Sequence, residues 1–381
     1  MLLAALLAAA ALAACTPLKE VATVVEKIAA DLPSEDDTMT SLVEITRIIE
    51  DAMSRGETEI TYSATGVSEN DLKNIGKNLS SFWGKPVQYT INSEFKNLDS
   101  VVPGQVVDVQ NITNIIELSD NYYIYRYMRT GTPIPGDRPQ AQEIADALDK
   151  IIVDLFPDGP LTDYDKALAV HDWLVLNIEY DDEMREQSEN NTSYGAIISG
   201  RTMCMGYAEA FELMLKCYTD VEVVQISGDA VNSVSETWAG HAWNAIKLDG
   251  FWYHVDVTYD DPKGDSDDFI SRFYFGQSDE VMEANHRWER EYFPTCTRGD
   301  FLYFRQSGLF AADWESFEVI FKALFADSPF TNIELAVRGD TADKDNLQFI
   351  YDVVPGAEEI WWSENNWRDI NVYNIEVVYS E

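Results

Sequence analysis

The apolar positions of this chain fall into a series of distinct patterns. Residues 2–14 are a continuous apolar run that ends at Cys15. That run is too short to span a bilayer, which takes about 20 residues, and it suits the apolar stretch of a signal peptide. Residues 16–37, with Pro17 and Pro33, read as a tether. Met39, Leu42, Val43, Ile49 and Met53 then recur at the spacing of an amphipathic helix. Strands are predicted at 58–64 and 86–93 and, rich in aromatics, at 121–128, with a helix at 70–82. A helix over 140–155 ends at Pro157-Asp158-Gly159-Pro160, and Thr162 caps another that runs to about Asn177. Near the C-terminus, strands are predicted at 318–323, 332–337 and 373–379, and a helix at 341–354.

The most regular pattern is a pair of aromatic and β-branched runs around Asp249-Gly250. Asp-Gly between such runs predicts a two-residue type I′ hairpin. Leu248 then faces Phe251, Trp243 faces Asp256 and His241 faces Thr258. His241 and Asp256 become diagonal neighbours on one face, about 7–8 Å apart, within reach of a hydrogen bond. His254 shares that face and competes for Asp256.

Upstream, a Gly-containing loop, Ser199-Gly200-Arg201-Thr202-Met203, leads into Cys204 and a helical pattern with Tyr207, Phe211 and Met214 on the Cys204 face. A cysteine at a helix N-terminus is favoured as thiolate by the dipole and the exposed N–H groups. The same N–H groups can serve an oxyanion hole. A buried structural cysteine is the ordinary alternative, as is a structural His–Asp pair for the hairpin. The cysteine, histidine and aspartate together point to nucleophilic catalysis. His171 is expected to pack its helix, and His286 to be structural.

Charge narrows the partners. With 67 acidic against 27 basic residues, the net charge is −40, which excludes the counterion-releasing chemistry of nucleic-acid binding. Asp260, Asp261, Asp265, Asp267 and Asp268 form an acidic loop that could hold Ca²⁺. It lacks EF-hand spacing, so a solvated loop and no cofactor are expected. A zinc site at Cys204, His241 and Asp256 lacks a second Cys or His at ligand spacing. Of the four cysteines, Cys204 and Cys217 share the predicted helix about 20 Å apart, too far for a disulfide.

Leu12-Ala13-Ala14-Cys15 resembles the bacterial lipobox, in which the cysteine takes a lipid and the preceding peptide is removed. No Lys or Arg precedes the run, a departure from that pattern. The resemblance implies export and anchoring to the outer face of a bacterial membrane through Cys15.

A second resemblance covers about 162–292. Tyr164-Asp165-Lys166-Ala167, His171-Asp172-Trp173-Leu174, Tyr194-Gly195-Ala196, Cys204-Met205-Gly206-Tyr207-Ala208, His241-Ala242-Trp243-Asn244 and Trp252 through Pro262 are similar to the bacterial transglutaminase-like superfamily. Tyr259 departs from it, since many members have Trp there. The resemblance implies a papain-like α+β core, with the nucleophile helix packed on an antiparallel sheet, flanked by two smaller α+β modules. It implies Cys204 as nucleophile, His241 as base and Asp256 as the group that orients it. Tyr194, Tyr207 and Trp243 are candidate substrate contacts. The implied activity is formation of an acyl-enzyme from a peptide or protein amide, cell-wall peptides included, followed by hydrolysis or transamidation. A non-catalytic surface scaffold on the same fold is the rival reading. The expected division is 1–15 signal, 16–55 tether and helix, 56–135 first module, 136–300 catalytic domain and 301–381 last module.

Overall fold

The Asp249-Gly250 turn sets the centre of the fold, with φ of 51° and 83°, as a type I′ turn requires. The computed structural model describes residues 38–68, 72, 75, 79, 83–91, 106–156, 159–181, 183, 191–231, 236–261, 269–298, 301–327, 331–339 and 347–379. Leu248 pairs with Phe251, and the register runs through Ala245–His254 to Asn244–Val255. The hairpin lies inside an antiparallel five-stranded sheet. Its order is Phe275–Gln277, Phe251–Val255, Trp238–Leu248, Glu222–Val231 and His286–Trp288.

The two faces of this sheet have different jobs because side chains alternate along a strand. Ile246, Leu248, Tyr253 and Val255 form one face and pack on Tyr207, Phe211, Met214 and Leu215 of the helix Cys204–Tyr218. Asn244 Nδ2 donates to Ala208 O at 3.1 Å and ties strand to helix. Twelve of that helix's fifteen residues are buried, so it is apolar nearly all round, as a central helix must be. Each large apolar side chain buried there contributes about 1.5–3 kcal/mol. Trp243 and Ala245 face the other way and pack on Ile226, Met282 and Cys296.

The bulky aliphatic face of the hairpin takes the flank of the helix, and Cys204, its first residue, reaches His241 from the helix end.

Helices Asp163–Asn177 and Pro139–Leu155 complete the layer around the central helix. Thr162 and Asp165 form a full capping box, with bonds of 3.1 and 2.9 Å. Two segments differ from expectation. Residues 121–128, expected as a strand, lie in a helix, Asp120–Thr130. Ser119 caps its start by accepting from Tyr122 N, and Gly131 closes it in the left-handed region. Those end signals outweigh the aromatic content that suggested a strand. Residues 318–323 lie in the helix Trp314–Asp327, where Phe317 and Phe321 are both fully buried four residues apart. The expected helix at 70–82 and the tether at 16–37 fall almost wholly outside the described residues.

The described residues of 1–52, 57–77 and 86–116 form one compact unit, and those of 53–56, 78–85 and 117–381 a second. In the first, the helix Leu42–Ser54 buries Ile45, Ile49 and Ala52 at helical spacing. The second holds the five-stranded sheet and a C-terminal sheet, ordered Phe310–Ala311, Asn332–Arg338, Ile370–Tyr379 and Ala357–Trp367. Of the helix expected over 341–354, the described part is Phe349–Val353. One face of the C-terminal sheet, with Ala336, Ile370, Val372 and Trp367, packs on Phe273, Phe301 and Phe304. Among the described residues, no helix is long and apolar enough to cross a membrane.

Candidate active site

Cys204 begins its helix after a tightly folded approach. Residues Gly195–Ser199 form a π-turn that ends at Gly200, whose φ of 65° suits glycine. Arg201–Thr202 then pairs with Glu179–Tyr180. Ser193 N donates to the buried Glu209 Oε2 at 3.0 Å, which pins the approach to the helix itself. In the first turn, Gly206 N–H donates to Asn191 Oδ1 and Met203 O, and Tyr207 N–H donates to Met203 O.

His241 stands on Trp238–Leu248. Its Nε2 lies 2.7 Å from Asp256 Oδ2, the diagonal contact that the hairpin register predicts. Cys204 is close enough to the ring to act on its charge. The structure thus brings Cys204, His241 and Asp256 together in a row. Burial acts to lower the His241 pKa. The charge and hydrogen bond of Asp256, with a smaller contribution from Cys204, override it and raise the pKa to about 10. The ring is therefore an imidazolium at neutral pH.

Asp256 is fully buried. It caps the short helix Val257–Asp260, accepting from Tyr259 N at Oδ1, 3.1 Å. Burial works against its ionisation, but His241 and His286 together hold its carboxyl well below the usual range. His286 is the residue that sequence reasoning missed: its Nε2 lies 2.9 Å from the same Oδ2. It arrives on the edge strand His286–Trp288, opposite Ala230, a pairing remote in sequence that no local pattern signals.

The other histidines are separately employed. Trp243 Nε1–H donates to His254 Nδ1 at 3.0 Å, and His254 Nε2 gives its hydrogen to Asp279 at 2.8 Å. His171 sits fully buried between Asp172 and Asp260, at 2.9 and 3.1 Å. Burial lowers its pKa, yet the two carboxylates raise it to about 9. Arg272 grips Asp172 in turn, with N–O distances down to 2.7 Å. This chain of charges braces the Asp256 turn from below.

A cleft of about 640 Å³ opens beside His241. Its walls include Tyr180, Val231, Gly240, Thr258, Tyr259, Asp261, Tyr274 and Asn285, with Asn365 from the C-terminal sheet. The three aromatic substrate candidates lie elsewhere. Tyr207 and Trp243 are buried, because one donates to Ile178 O and Asp261 and the other to His254. Tyr194 donates to Glu143 at 2.9 Å.

Among the described residues, two groups have ligand atoms within 4.8 Å of one another: His241 with Asp256 and His286, and His254 with Asp279 and Cys296. In both, the imidazole Nε2 hydrogens are already spent on a carboxylate, and His254 Nδ1 is occupied by the indole. A metal at His254 would need a ring stripped of both hydrogens, so that donor set does not fit one. Of the acidic loop, Asp260 is held by His171, Ser271 and Tyr274 N, and Asp261 by Tyr207. Asp265, Asp267 and Asp268 lie outside the described residues.

Residues 153–257 match the transglutaminase-like superfamily. That stretch includes Cys204, His241 and Asp256 and lies within an α+β fold. It is 29% identical over 136 residues to the kyphoscoliosis peptidase of Homo sapiens, covering 34% of this chain and 20% of that one. The chain thus spans about a fifth of the length of the curated relatives it matches. Among solved structures it is similar to a TGase, at 12% identity and a TM-score of 0.28, with 54% and 52% of the two chains covered. It is also similar to the periplasmic domain of TgpA from Pseudomonas aeruginosa bound to ethylmercury, at 18% identity and 0.22, with 41% and 59% covered.

Proposed function

We propose that this protein is an exported thiol enzyme that forms an acyl-enzyme on Cys204 from a peptide or protein amide. The observation that carries the reading is the placement of His241. Asp256 holds its Nε2 at 2.7 Å, and Cys204, at the start of its helix, lies near enough to act on the charge of the same ring. The Cys204 thiolate attacks the amide carbonyl carbon. The C–N bond breaks as His241 gives its proton to the leaving amine, and a thioester remains. Water or an amine then attacks the thioester. His241 takes the proton of that nucleophile, and the thiolate leaves. Water gives hydrolysis and an amine gives transamidation. Asp256 keeps the ring oriented and stabilises its charge. Polypeptides, wall peptides among them, are the substrates, and the cleft walled by Tyr259, Tyr274 and Asn365 is where they bind.

The test is mass spectrometry of the wild type and Cys204→Ala after exposure to a peptide library, with and without a primary amine. The wild type is expected to gain acyl mass on Cys204, and to pass it to the amine or to water. The rival scaffold reading draws on one observation: Cys204 is only 9% exposed. It is tested by iodoacetamide. Burial pushes the Cys217 and Cys296 thiols up, so Cys204 is expected to alkylate fastest of the three at pH 6. No acyl mass, together with a Cys204 as inert as Cys217, would favour the scaffold.

Export and anchoring through Cys15 belong to the same proposal and rest on the apolar run before it. A full-length chain expressed in a bacterium is expected to take up a palmitate analogue, and Cys15→Ala is not. Equal labelling of the two would remove the anchor.

A further inference from the structure

Asp256 Oδ2 receives two imidazoles, His241 at 2.7 Å and His286 at 2.9 Å. We propose that His286 is a positioning residue of this site, a second imidazole that fixes the Asp256 carboxylate in the orientation His241 needs. The proposal rests on the reading of Cys204 as nucleophile.

A carboxylate only accepts hydrogen bonds, so both Nε2 atoms must donate. Asp256 is then fully furnished: Tyr259 N–H on Oδ1, and two rings on Oδ2. It is wholly buried, so no bulk water replaces a lost donor. Without His286 the carboxylate keeps Tyr259 N–H and His241 but loses one of the two donors that fix Oδ2, and is held less firmly. An ordinary core histidine would be content with any acceptor; this one uses the very oxygen that holds the base.

The ring is also held rigidly. It starts a strand that pairs with Glu222–Val231, and Gly228 of that strand lies opposite His241. Tyr259, Tyr274 and Trp243 surround it, with ring centroids 5.0–5.6 Å away. Burial lowers its affinity for a second proton, so the neutral ring keeps its single hydrogen on Nε2. Nδ1 lies 2.6 Å from Asn285 Oδ1; since the neutral ring can only accept there, the amide must be turned so that its N–H faces Nδ1 and its oxygen accepts from the Tyr274 hydroxyl. That amide is oriented by its neighbours, and it contacts the Tyr274 hydroxyl at 2.6 Å. Asn285 and Tyr274 both line the cleft. A continuous path of hydrogen bonds thus runs from the cleft wall through His286 and Asp256 to His241.

The test compares His286→Phe, which fills the space without a donor, with His286→Gln, which restores an N–H of similar reach. Melting temperature reports folding. The rate of Cys204 alkylation by iodoacetamide, followed from pH 5 to pH 9, reports the site. The titratable groups facing His286 are Asp256, His241, Tyr259 and Tyr274, with His254 further off. In folded His286→Phe the rate at neutral pH should fall by about tenfold, the value of one charge-assisted bond. The acid limb should move to higher pH, because Asp256 holds its charge less firmly. His286→Gln should recover most of both. If the phenylalanine variant does not fold, His286→Asn, too short to reach Asp256, replaces it under the same criteria. A reactive Cys204 whose profile is unchanged in a folded donor-free variant would make His286 a packing residue and overturn the proposal alone. A wild-type Cys204 no faster than Cys217 and Cys296 would overturn the nucleophile reading and this proposal with it.

Discussion

Replacing His241 with alanine is expected to slow thioester formation on Cys204 by about 10²–10⁴, the usual cost of a lost general acid–base. His254→Ala is expected to leave most of the rate, once normalised to folded protein. The reason is geometric. His254 pairs with Ala245, four positions along the strand from His241, and at about 3.3 Å per residue it stands roughly 13 Å from it. Both of its nitrogens are also committed, to Trp243 and Asp279. His254→Ala therefore costs stability, because it strands the buried Trp243 indole N–H and takes one donor from Asp279. Asp256→Asn should fall between the two, since it keeps shape but loses the charge that raises the His241 pKa. Single-turnover formation of the Cys204 adduct, read by mass spectrometry, separates the three variants. A His254→Ala loss as deep as that of His241→Ala would require the base to be reassigned.

Gly206→Ala is expected to damage the fold at the start of the Cys204 helix. Its Cβ would lie 2.0 Å from Thr202 Oγ1 and 2.7 Å from the Thr192 carbonyl oxygen. The backbone oxygen cannot swing aside as a flexible side chain could, so the first helical turn must move. Overpacking of this kind costs about 1–3 kcal/mol and sometimes more. The turn that moves is the one that carries Cys204, so alkylation of Cys204 should slow together with the fall in melting temperature. Thr202→Ala in the same chain removes the nearest of three close contacts, leaving the Thr202 Cβ at 2.8 Å and the Thr192 oxygen, and should recover part of the loss. An unchanged melting temperature in Gly206→Ala would show that the loop around Thr192 yields.

What could be read from the sequence was what is local. The Asp249-Gly250 pair determines the register of the hairpin, and the register alone places His241 diagonal to Asp256. Thr162 announces its helix because a capping box needs only residues three apart. The helix Asp120–Thr130 was misread because its aromatic content favours a strand, while the signals that decide it, Ser119 and Gly131, lie at its ends. The same holds for Trp314–Asp327, where the spacing of Phe317 and Phe321 outweighs the β-branched residues between them. His286 reads as structural in the sequence, and its contact with Asp256 is not legible there. Its pairing with Ala230 spans a long loop, and nothing within its own three-residue strand reveals which carboxylate it will meet. The docking face of the Cys204 helix was hidden for a related reason. Alternation shows that the hairpin has two faces, but not which one the helix will choose.

The contribution of Asn365 to the cleft wall bears on the order of synthesis. The nucleophile helix emerges from the ribosome before the hairpin that bears the base. His286 follows the hairpin, and the Asn365 wall of the cleft comes only with the strand Ala357–Trp367. Bringing together residues so widely separated carries a loop-closure cost that is met only once the whole sheet can form. A nascent chain that has not yet reached that strand therefore holds a cysteine without a complete cleft beside it.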